Sequence, residues 1–187
     1  MGVRLCIFPL MAMLASGALA QAPPPSAPPA TPPPPPACTG PEHRQFDFWV
    51  GWWDVYPTGK PKKVANSLIE KLYAGCAIRE NWMPLGRTGG GSLNNFVKED
   101  GRWHQTWVDS SNSRAEFAGG LVGGKMVLIG FWAGVNGPGQ DGIVRMTYTP
   151  NSDGSVRQFG EVSTDHGLTW QNSFDFTYKK SASPAPK

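Results

Sequence analysis

Two stretches of this sequence interleave side chains that could meet a small molecule. From Cys76 to Met83, a two-residue period puts Cys76, Ile78, Glu80 and Trp82 on one face and Ala77, Arg79, Asn81 and Met83 on the other. From Arg102 to Asp109, the same period groups Trp103, Gln105, Trp107 and Asp109 opposite Arg102, His104, Thr106 and Val108. Each Trp-bearing face sets a carboxylate or an amide between large rings. A face that only filled a core would not need Glu80 or Gln105, because burying a polar group costs free energy unless it is hydrogen-bonded. A lumen that holds a ligand uses this mixture, with rings for stacking and a few polar groups for orientation. On that reading Trp82, Trp103 and Trp107 supply stacking surface, and Glu80, Gln105, Arg145 and Gln158 orient the polar end of a small, partly apolar ligand. The competing reading is an ordinary inner face whose amide and carboxyl are satisfied by backbone or water.

Other chemistries find less support. Glu80 with Asp109 or Glu161 would suit a carboxylate pair of the glycosidase kind, if they met in one lumen. His43, His104 and His166 lack metal-ligand spacing, and no metal is expected. His104 would serve a haem only if its face turned inward, and an outward face is expected. No Gly-x-Ser-x-Gly elbow appears, and the Gly-rich stretches at 89–91, 119–120 and 123–124 lack the strand-to-helix context of a phosphate loop. No catalytic residue and no cofactor is assigned.

The elements that must position these residues read as short strands separated by turns. Ten segments rich in Val, Ile, Thr and aromatic residues run over 52–56, 64–72, 76–83, 92–98, 103–109, 114–117, 125–132, 143–149, 156–163 and 169–178. The separators carry turn chemistry, among them Glu99-Asp-Gly101, Gly119-Gly120, Gly123-Gly124, Ser152-Asp-Gly154 and Asp165-His-Gly167. No segment has a long helical period, although 43–49 would fit one short helical turn. The expected fold is all-β, an antiparallel up-and-down meander of about ten strands closing into a barrel. Phe46, Phe48, Trp49, Trp52 and Trp53, crowded around Gly51, suit a plug at one end of it.

The flanks indicate a compartment. Residues 1–20 have the form of a signal peptide: Arg4, an apolar run from Leu5 to Ala15, and Ala18-Leu19-Ala20 before the cleavage point. The run is shorter than the roughly 20 residues of a membrane span, so none is expected after cleavage. Residues 21–37 are almost wholly Pro, Ala, Ser and Thr, a disordered polyproline-like linker able to hold a domain off a cell-envelope surface. The folded domain spans 38–180, and 181–187 reads as a disordered tail. The expected location is periplasmic or secreted. Such a compartment permits a disulfide, and Cys38 and Cys76 are the pair left after the signal peptide. Two independent thiols are the alternative. With 17 basic and 14 acidic residues, and the basic ones scattered, no nucleic-acid partner is expected.

The motif order Phe46-Asp-Phe-Trp-Val-Gly-Trp-Trp-Asp-Val55, Gly75-Cys-Ala-Ile-Arg-Glu-Asn-Trp82, Gly101-Arg-Trp-His-Gln-Thr-Trp-Val-Asp109 and Asp165-His-Gly-Leu-Thr-Trp170 resembles a family of uncharacterised secreted bacterial proteins with a lipocalin-like or calycin-like β-barrel. The resemblance implies that fold for most of 38–178, and no activity. One departure is Trp52, where such proteins typically carry an acidic residue. Gly51-Trp52-Trp53 also resembles the Gly-x-Trp opening of lipocalins, which implies a basic residue after the last strand, Lys179 or Lys180, lying across a Trp. Ser163 to Trp170 is similar to the Asp-box hairpin of sialidases and related proteins, and is expected to be a rigid turn. Three functions follow as expectations: a barrel binding a small, partly apolar ligand, a sealed structural or interaction module of the cell envelope, and a hydrolase using lumen carboxylates.

Overall fold

The structure, a computed structural model, describes Gly2 and residues 38–186. Apart from Gly2, the stretch read as signal peptide and Pro-rich linker lies outside the described residues. Ten strands follow in chain order: β1 Gly51–Pro57, β2 Ala65–Leu72, β3 Ala77–Pro84, β4 Gly90–Val97, β5 Arg102–Asp109, β6 Arg114–Val122, β7 Lys125–Trp132, β8 Gly142–Pro150, β9 Val156–Ser163 and β10 Gln171–Lys180. Each pairs antiparallel with its chain neighbours, and β1 pairs with β10 to close an up-and-down barrel. Closure leaves no sheet edge exposed. Alternation sets the faces. In β8, for example, Val144, Met146 and Tyr148 are buried while Ile143, Arg145 and Thr147 between them are half-buried.

One end of the barrel is plugged. Residues 41–49 form two short 3-10 turns, Pro41–Arg44 and Asp47–Trp49. They fold Phe46 and Trp49 inward, both fully buried, with rings stacked 4.9 Å apart. Phe46 meets Trp103 and Tyr148 edge-on, and Trp49 lies against Tyr148 and Tyr178. Across the same end, Lys180 Nζ sits 3.8 Å from the centre of the Trp53 ring and donates to the Val50 carbonyl. A β-carbon at Gly51 would lie 2.3 Å from that ammonium, so a side chain there would make the lysine shift. Lys180, rather than Lys179, is therefore the residue that closes over the tryptophan. Lys179 lies over Tyr56 instead. Trp52 points to the other face of β1 from Trp53, where its indole donates to Ser183 Oγ, and Ser181 N donates to the Trp52 carbonyl. The first residues of the expected tail are thus tied to β1.

Several expected boundaries shift, most by one or two residues, and two of the changes have a clear local cause. Gly119-Gly120 is not a turn: β6 runs through both residues to Val122, and the reversal falls on Gly123 and Gly124, with φ of 56° and 78°. The reason for glycine at 119 is close approach, since a β-carbon there would meet the Val127 carbonyl at 1.9 Å. The last strand begins at Gln171, not Thr169, because Thr169 belongs to the Asp-box turn. There Asp165 accepts from the Thr169 amide and hydroxyl and from Ser163 Oγ. Gly167 takes a positive φ of 90°, and the Trp170 indole donates to its carbonyl.

Cys38 and Cys76 are joined in a disulfide, which ties the first described residue before the plug to the start of β3. Arg44 bonds both ends of this staple, donating to the carbonyls of Cys38 and Gly75. A closed loop spanning a separation of 38 residues restricts the unfolded chain by about 3–4 kcal/mol in the chain-entropy account. Replacing both cysteines with serine should lower Tm by about 10 °C in thermal denaturation, with an unchanged β-type circular dichroism spectrum at room temperature.

Candidate functional site

The lumen is built in three layers, and the strand register determines which side chain enters which. The plug is the floor. Above it lies a belt of buried polar groups. Above that, toward the open end, lies a cavity of about 550 Å³ lined largely by aromatic rings.

The belt is a closed circuit of hydrogen bonds. Ser67 on β2 donates to Glu80 Oε1 at 3.0 Å, and Ser92 on β4 donates to Glu80 Oε2 at 3.3 Å. Asn94 donates to Ser92 Oγ, and Gln105 Nε2 on β5 donates to Asn94 Oδ1 at 2.6 Å. Across the lumen, Gln105 Nε2 also reaches the Tyr148 hydroxyl on β8, at 3.4 Å. Gln158 Nε2 on β9 donates to the same hydroxyl at 2.9 Å. The Tyr178 hydroxyl on β10 donates to Gln158 Oε1 at 2.7 Å and lies 3.4 Å from Glu80 Oε1, which completes the circuit. Glu80, Asn94, Gln105, Tyr148 and Tyr178 each expose less than a twentieth of their surface.

The electrostatics of the belt follow from its composition. Every group bonded to Glu80 is a neutral hydroxyl, and no basic side chain pairs with it among the described residues. Burial therefore dominates and pushes the Glu80 carboxyl up to about 7, with the three hydroxyls holding it back from rising further. The same burial, with the negative charge of Glu80 beside them, raises both tyrosine hydroxyls, Tyr148 and Tyr178, above their ordinary value. Asp109, at the mouth, behaves in the opposite way. Although partial burial opposes it, bonds from Ser111, Trp107 and Ser113 hold its carboxyl below the usual range.

Of the seven residues expected to bind a ligand, Glu80, Trp82, Gln105, Trp107 and Gln158 line this cavity. Trp103 faces inward but lies one layer too deep. It is part of the floor, packed on Phe46 and Phe96, with its indole donating to Gln45 Oε1. Arg145 is corrected outright. The register of β8 turns it outward, where it pairs with Glu161 at 2.9 Å and lies 4.2 Å from the centre of the Trp170 ring. Glu161 is thereby also outside the lumen, which removes it as a carboxylate partner for Glu80. His104 faces outward and bonds Asp100 at 2.7 Å. Among the described residues, no cluster of three or more potential metal ligands exists.

Sequence reasoning missed the other half of the site. Tyr148 and Met146 share the inner face of β8, and Phe174, Phe176 and Tyr178 share that of β10. The signal is a two-residue period ending at Lys180, the one of the two candidate lysines that crosses the tryptophan. A bulge between Asn172 and Phe174 adjusts the register there. Gly160, directly opposite on β9, leaves room for the Phe174 ring, since a β-carbon would come within 2.3 Å of it. Arg87 in the β3–β4 connection lies at the mouth, and a neighbouring cleft of about 460 Å³ places Lys62 and Lys63 beyond it, with Trp82 and Phe176 shared between the two.

Comparison with known proteins adds no identity: a scan against protein-family models gave no match. A search of the curated proteins likewise found none that matches this chain.

The Glu80 carboxyl gives the site a pH signature. Its pKa is raised in the folded state, so its contribution favours folding below about 4.5, the ordinary value, and is lost as pH rises through about 7. The loss is on the order of 3 kcal/mol between these limits. Glu80→Gln, neutral at every pH, should abolish this component: the Tm difference, variant minus wild type, should grow between about pH 5 and pH 8. A constant difference would show that the carboxyl is not desolvated.

Proposed function

We propose that this protein is an exported, lipocalin-like barrel that binds a small, partly apolar molecule in its lumen. The observation that carries the reading is the cavity of about 550 Å³, within the range of small-molecule sites, with aromatic walls over a polar belt. A barrel serving only as a scaffold would fill this volume with side chains, because a void forfeits the dispersion contacts of its lining. The rings offer stacking surface, and the belt offers fixed polar atoms at the bottom. Gln105 Oε1 receives no donor from the described residues and is one such atom.

The hydrolase reading fits the site less well. Asp109 is the remaining lumen partner for Glu80, and it accepts from the Ser111 amide and hydroxyl and from the Trp107 indole, bonds that hold its carboxyl below the usual range. A carboxylate so stabilised is a weak base. Export to a periplasmic or extracellular space agrees with the disulfide and with the form of residues 1–20. The resemblance to uncharacterised secreted proteins agrees with the same reading, and the Pro-rich linker serves as the spacer.

A neutral apolar dye such as N-phenylnaphthylamine tests the lumen. It should bind the wild type with one-to-one saturation and enhanced fluorescence. Gly160→Val, which drives the Phe174 ring into the cavity, should weaken it by about tenfold or more, and Trp82→Ala by a smaller factor. Equal binding to all three folded proteins would place the dye elsewhere and remove the lumen as a site.

A further inference from the structure

The belt poses a question about its ligand. Glu80 is an acid at the bottom of an aromatic cavity, and nothing among the described residues supplies the opposite charge. Its neighbours on every packed strand are neutral: Ser67 on β2, Ser92 on β4 and Tyr178 on β10. The next titratable group, Tyr148, is also a phenol. The charged groups at the cavity wall besides Glu80 are Arg87 and Asp109, both at the mouth. A carboxylate offers about four acceptor sites, and the three hydroxyls fill three at most. Trp82, Trp107 and Phe176 line the same cavity, and the face of an aromatic ring attracts cations and repels anions.

We propose, on the reading that the lumen is a binding site, that its ligand is an organic cation: a primary or secondary amine on a flat apolar body, with the ammonium at the Glu80 carboxylate. A primary ammonium has three donors. One meets the free acceptor site of Glu80, and the Gln105 Oε1 acceptor is available to another. The apolar body occupies the aromatic layer above. An anionic ligand is the rival class, because Arg87, Lys62 and Lys63 stand at and beyond the mouth. Those cations are at the surface, where solvent screens them, and Lys63 is already paired with Asp54. Glu80 is the buried charge of the lumen.

Calorimetric titration of the full exported chain with naphthylethylamine, naphthylethanol and naphthylacetate isolates the charge, since the three share one ring system. Near pH 8.5 the amine should bind about tenfold to a hundredfold more tightly than the alcohol, as for a hydrogen bond to a charged group, and the acid most weakly. In Glu80→Gln the amine's advantage over the alcohol should shrink to within about threefold. Should that variant fail to fold, the wild type alone decides. The amine keeps its charge up to about pH 10, so its affinity should fall below about pH 7 while that of the alcohol stays level. Equal binding of amine and alcohol, or tightest binding of the acid with loss in Arg87→Ala, would overturn the inference and leave the lumen site standing. Failure of all three probes and of the neutral dye would overturn both.

Discussion

The structure depends on one constraint: a carboxyl group held out of water, with only hydroxyls for company. Glu80 sits where six strands contribute to a single circuit of hydrogen bonds, and every member of that circuit needs its neighbours. Removing one partner would leave a buried polar atom unsatisfied, at a cost of about 1–3 kcal/mol. The circuit therefore fixes the relative positions of β3, β4, β5, β8, β9 and β10 more tightly than apolar packing alone would. It also separates two regions of different character. Below it, the rings of the plug pack on those of the strands, and above it the rings line the cavity.

That division explains how the two ends of the barrel differ. At the floor, every device favours closure: the stacked pair Phe46 and Trp49, the ammonium of Lys180 across Trp53, and the disulfide with Arg44 clamped to both of its ends. At the mouth, glycine and a bulge keep Phe174 against the wall, and indole groups are anchored by hydrogen bonds that prevent collapse. Trp107 bonds Asp109, and Trp132 bonds Ser113. A cavity in place of packed side chains and a buried acid without a basic side-chain partner both lower stability. Their coexistence over a reinforced floor is the pattern expected where stability is given up for binding.

Much of this is legible in the residues. Ten strands, barrel closure, the plug and the cysteine pair follow from turn chemistry, alternation and composition. The two Trp-bearing faces of β3 and β5 group correctly, because period two needs no knowledge of the partner strand. What alternation does not supply is depth, or the inside face of a strand that has polar residues on both sides. Trp103 has the right face and the wrong depth, which only pairing with Gly119 and packing on Phe46 reveal. Arg145 reads as inward for its charge, although its own strand sets it opposite the apolar Val144, Met146 and Tyr148; Glu161 and Trp170, which hold it outside, come from later in the chain. Gly119-Gly120 reads as a turn because glycine serves both sharp reversals and close approach, and sequence does not distinguish the two. Tyr148 and Tyr178 contribute the phenols that complete the circuit, yet each lies among ordinary strand residues, and their meeting depends on closure of the whole barrel.

The measurement closest to the central claim is an NMR titration of the Glu80 side-chain carboxyl carbon in the intact protein, assigned by comparison with Glu80→Gln. A desolvated acid with only neutral partners should titrate with a midpoint near 7. A midpoint in the ordinary carboxylate range, near about 4.3, would mean that water or a cation already compensates this group, contradicting a lumen organised around an isolated buried acid.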